Sequence, residues 1–127
     1  MAQIRPQYHF RQEGPDLLAW DVRRLIQLTK GIKPEDILLT DVPELDENHW
    51  FKHELPTPRR IAQHAQLIEE ADLSYPIILD SAGRVMDGMH RICKALLLQH
   101  KQVKAVQFVT DPEPDYKNVS PADLPYD

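Results

Sequence analysis

The amino-acid sequence predicts one small α+β domain, and three observations carry that expectation. Helical apolar spacings and short apolar runs are interleaved along the chain rather than grouped into blocks. Two of the runs, Pro76–Asp80 and Val85–Met86, are separated by Ser81-Ala82-Gly83-Arg84, which reads as a hairpin turn with glycine at the left-handed position. The length of 127 residues, 42% of them apolar, suits one core and is too short for two. The expected architecture is a small mixed sheet with about three helices.

The elements follow in order. The first helix is expected from Pro15 to Lys30, with proline in its first turn, Gly31 after its end, and Leu18, Val22 and Leu25 along one face. Asp36 to Pro43 reads as a strand or extended entry that proline ends. The second helix starts at Thr57-Pro58, with threonine as N-cap and proline at the first helical position, and should bury Ile61, Ala65 and Ile68 before stopping near Asp72 to Ser74. After the hairpin a third helix is expected from Asp87 to about His100, with Met89, Ile92, Cys93, Leu96 and Leu97 inward. Val103 to Val109 should form the last strand.

Charge divides the chain further. The formal net charge is −5, and residues 110–127 contribute −4 of it through Asp111, Glu113, Asp115, Asp123 and Asp127 against Lys117. This acidic, proline-rich stretch is expected as an extended or disordered strap on a body of residues 1–109, which carries an N-terminal helical extension. Within the body, residues 35–54 hold seven acids and only Lys52. Residues 84–104 oppose them with Arg84, Arg91, Lys94, Lys101 and Lys104 against Asp87. No apolar run approaches the roughly 18 residues of a membrane span, and no apolar leader opens the chain, so a cytoplasmic location and no membrane partner are expected. The single cysteine, Cys93, leaves no internal disulfide or cysteine-based zinc site.

The segment richest in chemistry is Val85-Met86-Asp87-Gly88-Met89-His90-Arg91, a strand that turns directly into a helix. Asp87 is expected to cap the helix, Gly88 to let the backbone approach another group, and the first-turn N–H groups to form an anion site. His90, Arg91 and Lys94 fall off the aliphatic face and are expected to remain available to a ligand. Cations in a first helical turn oppose the macrodipole, and this chain places them there twice, as Arg59-Arg60 and His90-Arg91. A bound phosphate, or carboxylates from residues 35–54, would compensate both.

The stretch from about Glu54 to Phe108 resembles the ParB/sulfiredoxin-like domain. The matching pieces are Thr57-Pro-Arg-Arg-Ile, Tyr75-Pro-Ile-Ile-Leu-Asp, Asp87-Gly-Met-His-Arg, Ala95-Leu and Val103-Lys-Ala-Val-Gln-Phe. The resemblance implies nucleotide phosphates held by Gly88, Met89, His90 and Arg91, with Asp87 ordering the turn or meeting a metal. Met89 stands where sulfiredoxins carry cysteine, and Met89-His90 where CTP-hydrolysing partition proteins carry Glu-Arg, so neither thiol repair nor CTP hydrolysis is implied. The box is most similar to that of nucleotide-dependent free-serine kinases. On that kinship His90 and Arg91 would stabilise a phosphoryl group, Arg59 or Arg60 would close over it, and Glu44 would act as base, with Asp46 and Glu47 as substitutes.

The leading expectation is therefore a phosphate-bearing small molecule such as ATP, ADP or CTP with magnesium, and phosphotransfer as its extension. A DNA-interacting or nuclease-like module and a non-catalytic regulatory adaptor are the alternatives. Net acidity makes DNA the less expected partner, and nothing in the sequence sets an oligomeric state. His49 and His53 have the i, i+4 spacing of metal ligands but no zinc-protease context, so no metal site is assigned. Trp50 and Phe51 are expected at a sheet edge or pocket rim, Trp20 against the first helix's neighbours, and His64 and His100 on helix surfaces.

Overall fold

The computed structural model describes residues 7–52 and 55–126 and has the expected α+β composition, built on two sheets. Strands β1 (Tyr8–Glu13) and β2 (Asp16–Asp21) form an antiparallel hairpin that turns through Gly14 at φ +57°. The short β7 (Tyr116–Lys117) pairs with the other edge of β2. The second sheet contains β3 (Glu35–Leu38), β4 (Ile77–Leu79), β5 (Val85–Asp87) and β6 (Gln102–Gln107) in the order β3-β6-β4-β5. Its β4–β6 pair is parallel and the others antiparallel. The helices are α1 (Val22–Leu28), α2 (Pro58–Glu70) and α3 (Met89–Leu97). None is long and apolar enough to cross a membrane.

The four-stranded sheet is covered on both faces. Ile77, Leu79, Val85 and Ala105 meet Met89, Ile92 and Ala95 of α3 and Leu39 and Val42 on one side. Ile78, Met86, Val106 and Phe108 meet Trp20 of β2 and Val22 and Leu25 of α1 on the other. Side chains alternate faces along a strand, so neighbours such as Ile77 and Ile78 enter different cores. That double burial explains why Pro76-Ile77-Ile78-Leu79 is an unbroken apolar run.

The expected helix from Pro15 to Lys30 is corrected to a strand followed by a short helix. Gly14-Pro15 belongs to the hairpin turn, and only Val22–Leu28 is helical, capped by Asp21 accepting from Arg23 N–H at 2.9 Å. Leu18 of β2 and Val22 and Leu25 of α1 lie on different elements but pack in the same core, which mimics one helical face. The second helix starts as expected, with Thr57 Oγ1 accepting from Arg60 N–H at 3.2 Å. It contains no buried residue, however: Ile61 and Ala65 are exposed and Ile68 is half-buried, because α2 packs beside α3 rather than on a sheet.

The third helix starts after Gly88, not Asp87, and ends at Leu97, where the following Gln99 at φ +62° breaks the helical path. Its inward row is Met89, Ile92 and Ala95; Leu96 and Leu97 are exposed and Cys93 is half-buried. The expected strand to Val109 closes at Gln107. Asp36–Pro43 is strand only to Leu38, after which single 3-10 turns span Leu39–Asp41 and Pro43–Asp46.

The tail runs as a strap along β2. Asp111 pairs with Arg11 and accepts from Ser81 N–H, Pro112 O accepts from Trp20 Nε1 at 2.8 Å, and Leu124 is buried.

Candidate functional site

α2 and α3 run in the same sense. His64 of α2 meets His90 of α3, and further along both helices Lys94 Nζ donates to Glu69 O and Ala71 O, each at 2.8 Å. Both N-termini therefore face one side of the molecule. Lys94, expected to be available to a ligand, is corrected to a C-terminal cap of α2, where ammonium complements the negative end of the helix. His64 lies about five residues further from its helix start than His90 does. At 1.5 Å per residue, α2 overshoots the start of α3 by roughly 7 Å and carries Arg59 and Arg60 out with it.

The start of α3 has no side-chain cap. Gly88 is the N-cap at φ +113°, while Asp87, expected to cap the helix, ends β5 and binds Arg91 instead. The close approach expected at Gly88 is to Ile77, since a Cβ there would lie 2.6 Å from Ile77 Cγ2. Arg91, also expected to await a ligand, is corrected to a clamp. It donates to Tyr75 O at 3.1 Å, Pro76 O at 2.8 Å and Asp87 Oδ2 at 2.6 Å, tying α3 to β5 and to the entry of β4. The guanidinium's fixed fork makes three such bonds geometrically easy.

His90 and His64 sit in an aromatic stack that sequence reading missed. Their ring nitrogens, His64 Nδ1 and His90 Nε2, are 2.8 Å apart, and Trp50 stacks on both rings with centroids at 4.3 Å from His64 and 4.6 Å from His90. Phe51 adds an edge contact to His64. His64, expected at a helix surface, is half-buried, and its pKa is lowered first by burial and then by the Arg60 charge. No pattern joined His64, His90 and Trp50, because they come from three separate segments. His100 is exposed as expected.

Glu44 comes from the 3-10 turn after β3 and is 3% exposed. Its Oε2 accepts from Val85 N–H at 2.6 Å and lies 3.6 Å from Arg84 Nε. Arg84 in turn grips Glu47 through two bonds of 3.0 and 2.7 Å, which holds the Glu47 pKa down. Acidic and basic segments thus do meet, here and at Lys104–Asp36, 3.0 Å apart. Glu44 lines a cavity of about 210 Å³ that it shares with Met89, the first residue of α3. Asp46, the other substitute base, lies in the same turn.

A second cavity of about 280 Å³ touches Arg91, Tyr75, His100 and Lys104. No group of three metal-ligating side chains occurs among the described residues. His49 lies in non-helical backbone, and His53, the other member of the i, i+4 pair, falls outside the described residues. Comparison of the chain with family models, curated proteins and solved structures finds no match.

Proposed function

We propose that this chain binds a phosphate-bearing small molecule, a nucleotide with magnesium being the leading class, at the common N-terminal side of α2 and α3. Kinship with ParB/sulfiredoxin-like domains belongs to the same proposal. The observation that carries it is the parallel course of the two helices. Their positive ends add on one side, α3 begins at a bare glycine cap, and α2 projects Arg59 and Arg60 beyond it. Two cations near a helix start add to the positive potential that a phosphate meets there. The flat Trp50–His64–His90 stack lies beside these starts, and ring systems of this kind suit a nucleobase or a sugar face.

The DNA reading lacks a comparable observation. Of the cations between residues 84 and 104, Arg84, Arg91, Lys94 and Lys104 are all bonded within the chain. A thermal-shift panel of ATP, ADP, CTP, GTP and pyrophosphate with magnesium tests the proposal. A ligand at about 100 times its Kd should stabilise the fold by about 2.7 kcal/mol. The increment should shrink in Arg59→Ala/Arg60→Ala, and no stabilisation by any member of the panel would overturn the reading.

A further inference from the structure

Glu44 is a buried carboxylate satisfied on one side only. Oε2 has Val85 N–H and the neighbouring Arg84, while Oε1 has no hydrogen-bond partner among the described residues. A buried anionic oxygen without a donor is a strained arrangement that a ligand's donor would relieve. The cavity Glu44 lines, at about 210 Å³, is several times the roughly 30 Å³ share of a water molecule. Its other walls include Leu45, Trp50, Phe51, Met89 and Cys93.

We infer that this cavity binds a small aliphatic amine, its ammonium on Glu44 Oε1 and its alkyl chain against Leu45, Trp50, Phe51 and Met89. Charge selects the cation. Glu44 and Glu47 share the one guanidinium of Arg84, which makes both its short bonds to Glu47, so one negative charge in the wall lacks a counterion of its own. His49 does not supply it near neutral pH, since burial lowers its pKa, and Lys52 acts on Glu47 and His49 from an exposed position. An alcohol could donate to Oε1 but would leave the charge in place, and a carboxylate would be repelled. Aromatic faces and a thioether favour an ammonium with a short apolar body. The Asn48–Phe51 turn, closed on itself by bonds of 2.9 and 3.1 Å, forms one wall of the cavity. The phosphate reading rests on the Arg59–Arg60 side and shares Trp50 with this cavity; the amine's anchor, Glu44, plays no part in it, so either can fail without the other.

Cys93, the chain's single cysteine, lines the cavity and reports its occupancy. The rate of Cys93 reaction with an aromatic disulfide reagent is to be measured on the full chain with butylamine, butanol and butyrate at equal ionic strength. Butylammonium at about ten times its Kd should slow the reaction about tenfold, and the other two should leave it within about twofold. Glu44→Gln should abolish the protection. Equal protection by butanol, no protection by the amine, or protection retained in Glu44→Gln would each overturn the inference. Should Glu44→Gln not fold, the Met89 ε-methyl resonance of the unaltered chain decides. It should shift with butylamine and not with butanol, and an unmoved resonance rejects the site.

Discussion

Gly88 and Ile77 are locked together: a Cβ on Gly88 would fall 2.6 Å from Ile77 Cγ2 and 3.0 Å from Ile77 Cβ, and the glycine holds φ at +113°. Both the backbone angle and the packing demand glycine. Gly88→Ala should destabilise the fold by about 2–5 kcal/mol, from left-handed strain plus overpacking. In Gly88→Ala/Ile77→Ala the loss should fall short of the sum of the single losses by about 1 kcal/mol or more, as read from denaturant midpoints.

Arg91 joins three pieces of backbone and side chain through bonds within the chain. Arg91→Ala leaves Tyr75 O, Pro76 O and the mostly buried Asp87 carboxylate without their donor. A loss of about 2–4 kcal/mol is expected in ligand-free unfolding. Arg91→Lys should recover only part of it, since an ammonium does not reproduce the guanidinium fork.

Acid should weaken the fold in a window set by His9. Burial, reinforced by the Arg11 charge, lowers its pKa from 6.5 to about 4. The unfolded chain therefore binds a proton that the folded chain refuses, and stability falls as pH drops from about 6.5 to about 4. His9→Phe should flatten this slope, removing about 2–3 kcal/mol of the difference between pH 7 and pH 4. Asp21, Glu47 and Asp111, whose pKa values are lowered from 3.8, 4.5 and 3.8, add to the loss from about pH 4.5 downward, as their carboxylates protonate. Urea unfolding at both pH values separates the contributions.

Removal of residues 110–127 should damage the fold well beyond the tail. Trp20 Nε1 loses Pro112 O, Arg11 loses Asp111, β2 loses its β7 neighbour, and the pocket filled by Leu124 empties. A cost of about 3 kcal/mol or more is expected. A red shift of Trp20 emission in a Trp50→Phe background would locate the change at the hairpin.

The hairpin around Gly83 and the start of α2 were legible because each is written in adjacent residues. Gly83 supplies φ +82° between two apolar runs, and Thr57-Pro58 is cap and first helical position at once. The β1–β2 hairpin was not legible. Pro15 suits a helix start as well as a turn, and Leu18, Val22 and Leu25 keep helical spacing although β2 and α1 share them. Ile61 and Ala65 looked internal for the same reason: periodicity shows that a face exists, not what covers it.

By itself the sequence determined the α+β class, the turn at Gly83 and the Thr57 cap of α2, because turns, caps and alternation are local physics. Only the tertiary structure decided what the side chains of the candidate site do. It turned Arg91 and Lys94 inward as clamps, paired His64 with His90 under Trp50, and buried Glu44 with one oxygen on Val85 N–H and the other without a donor. Those outcomes depend on contacts between residues distant in the chain, whose geometry is fixed when the sheet and α3 close around a common core.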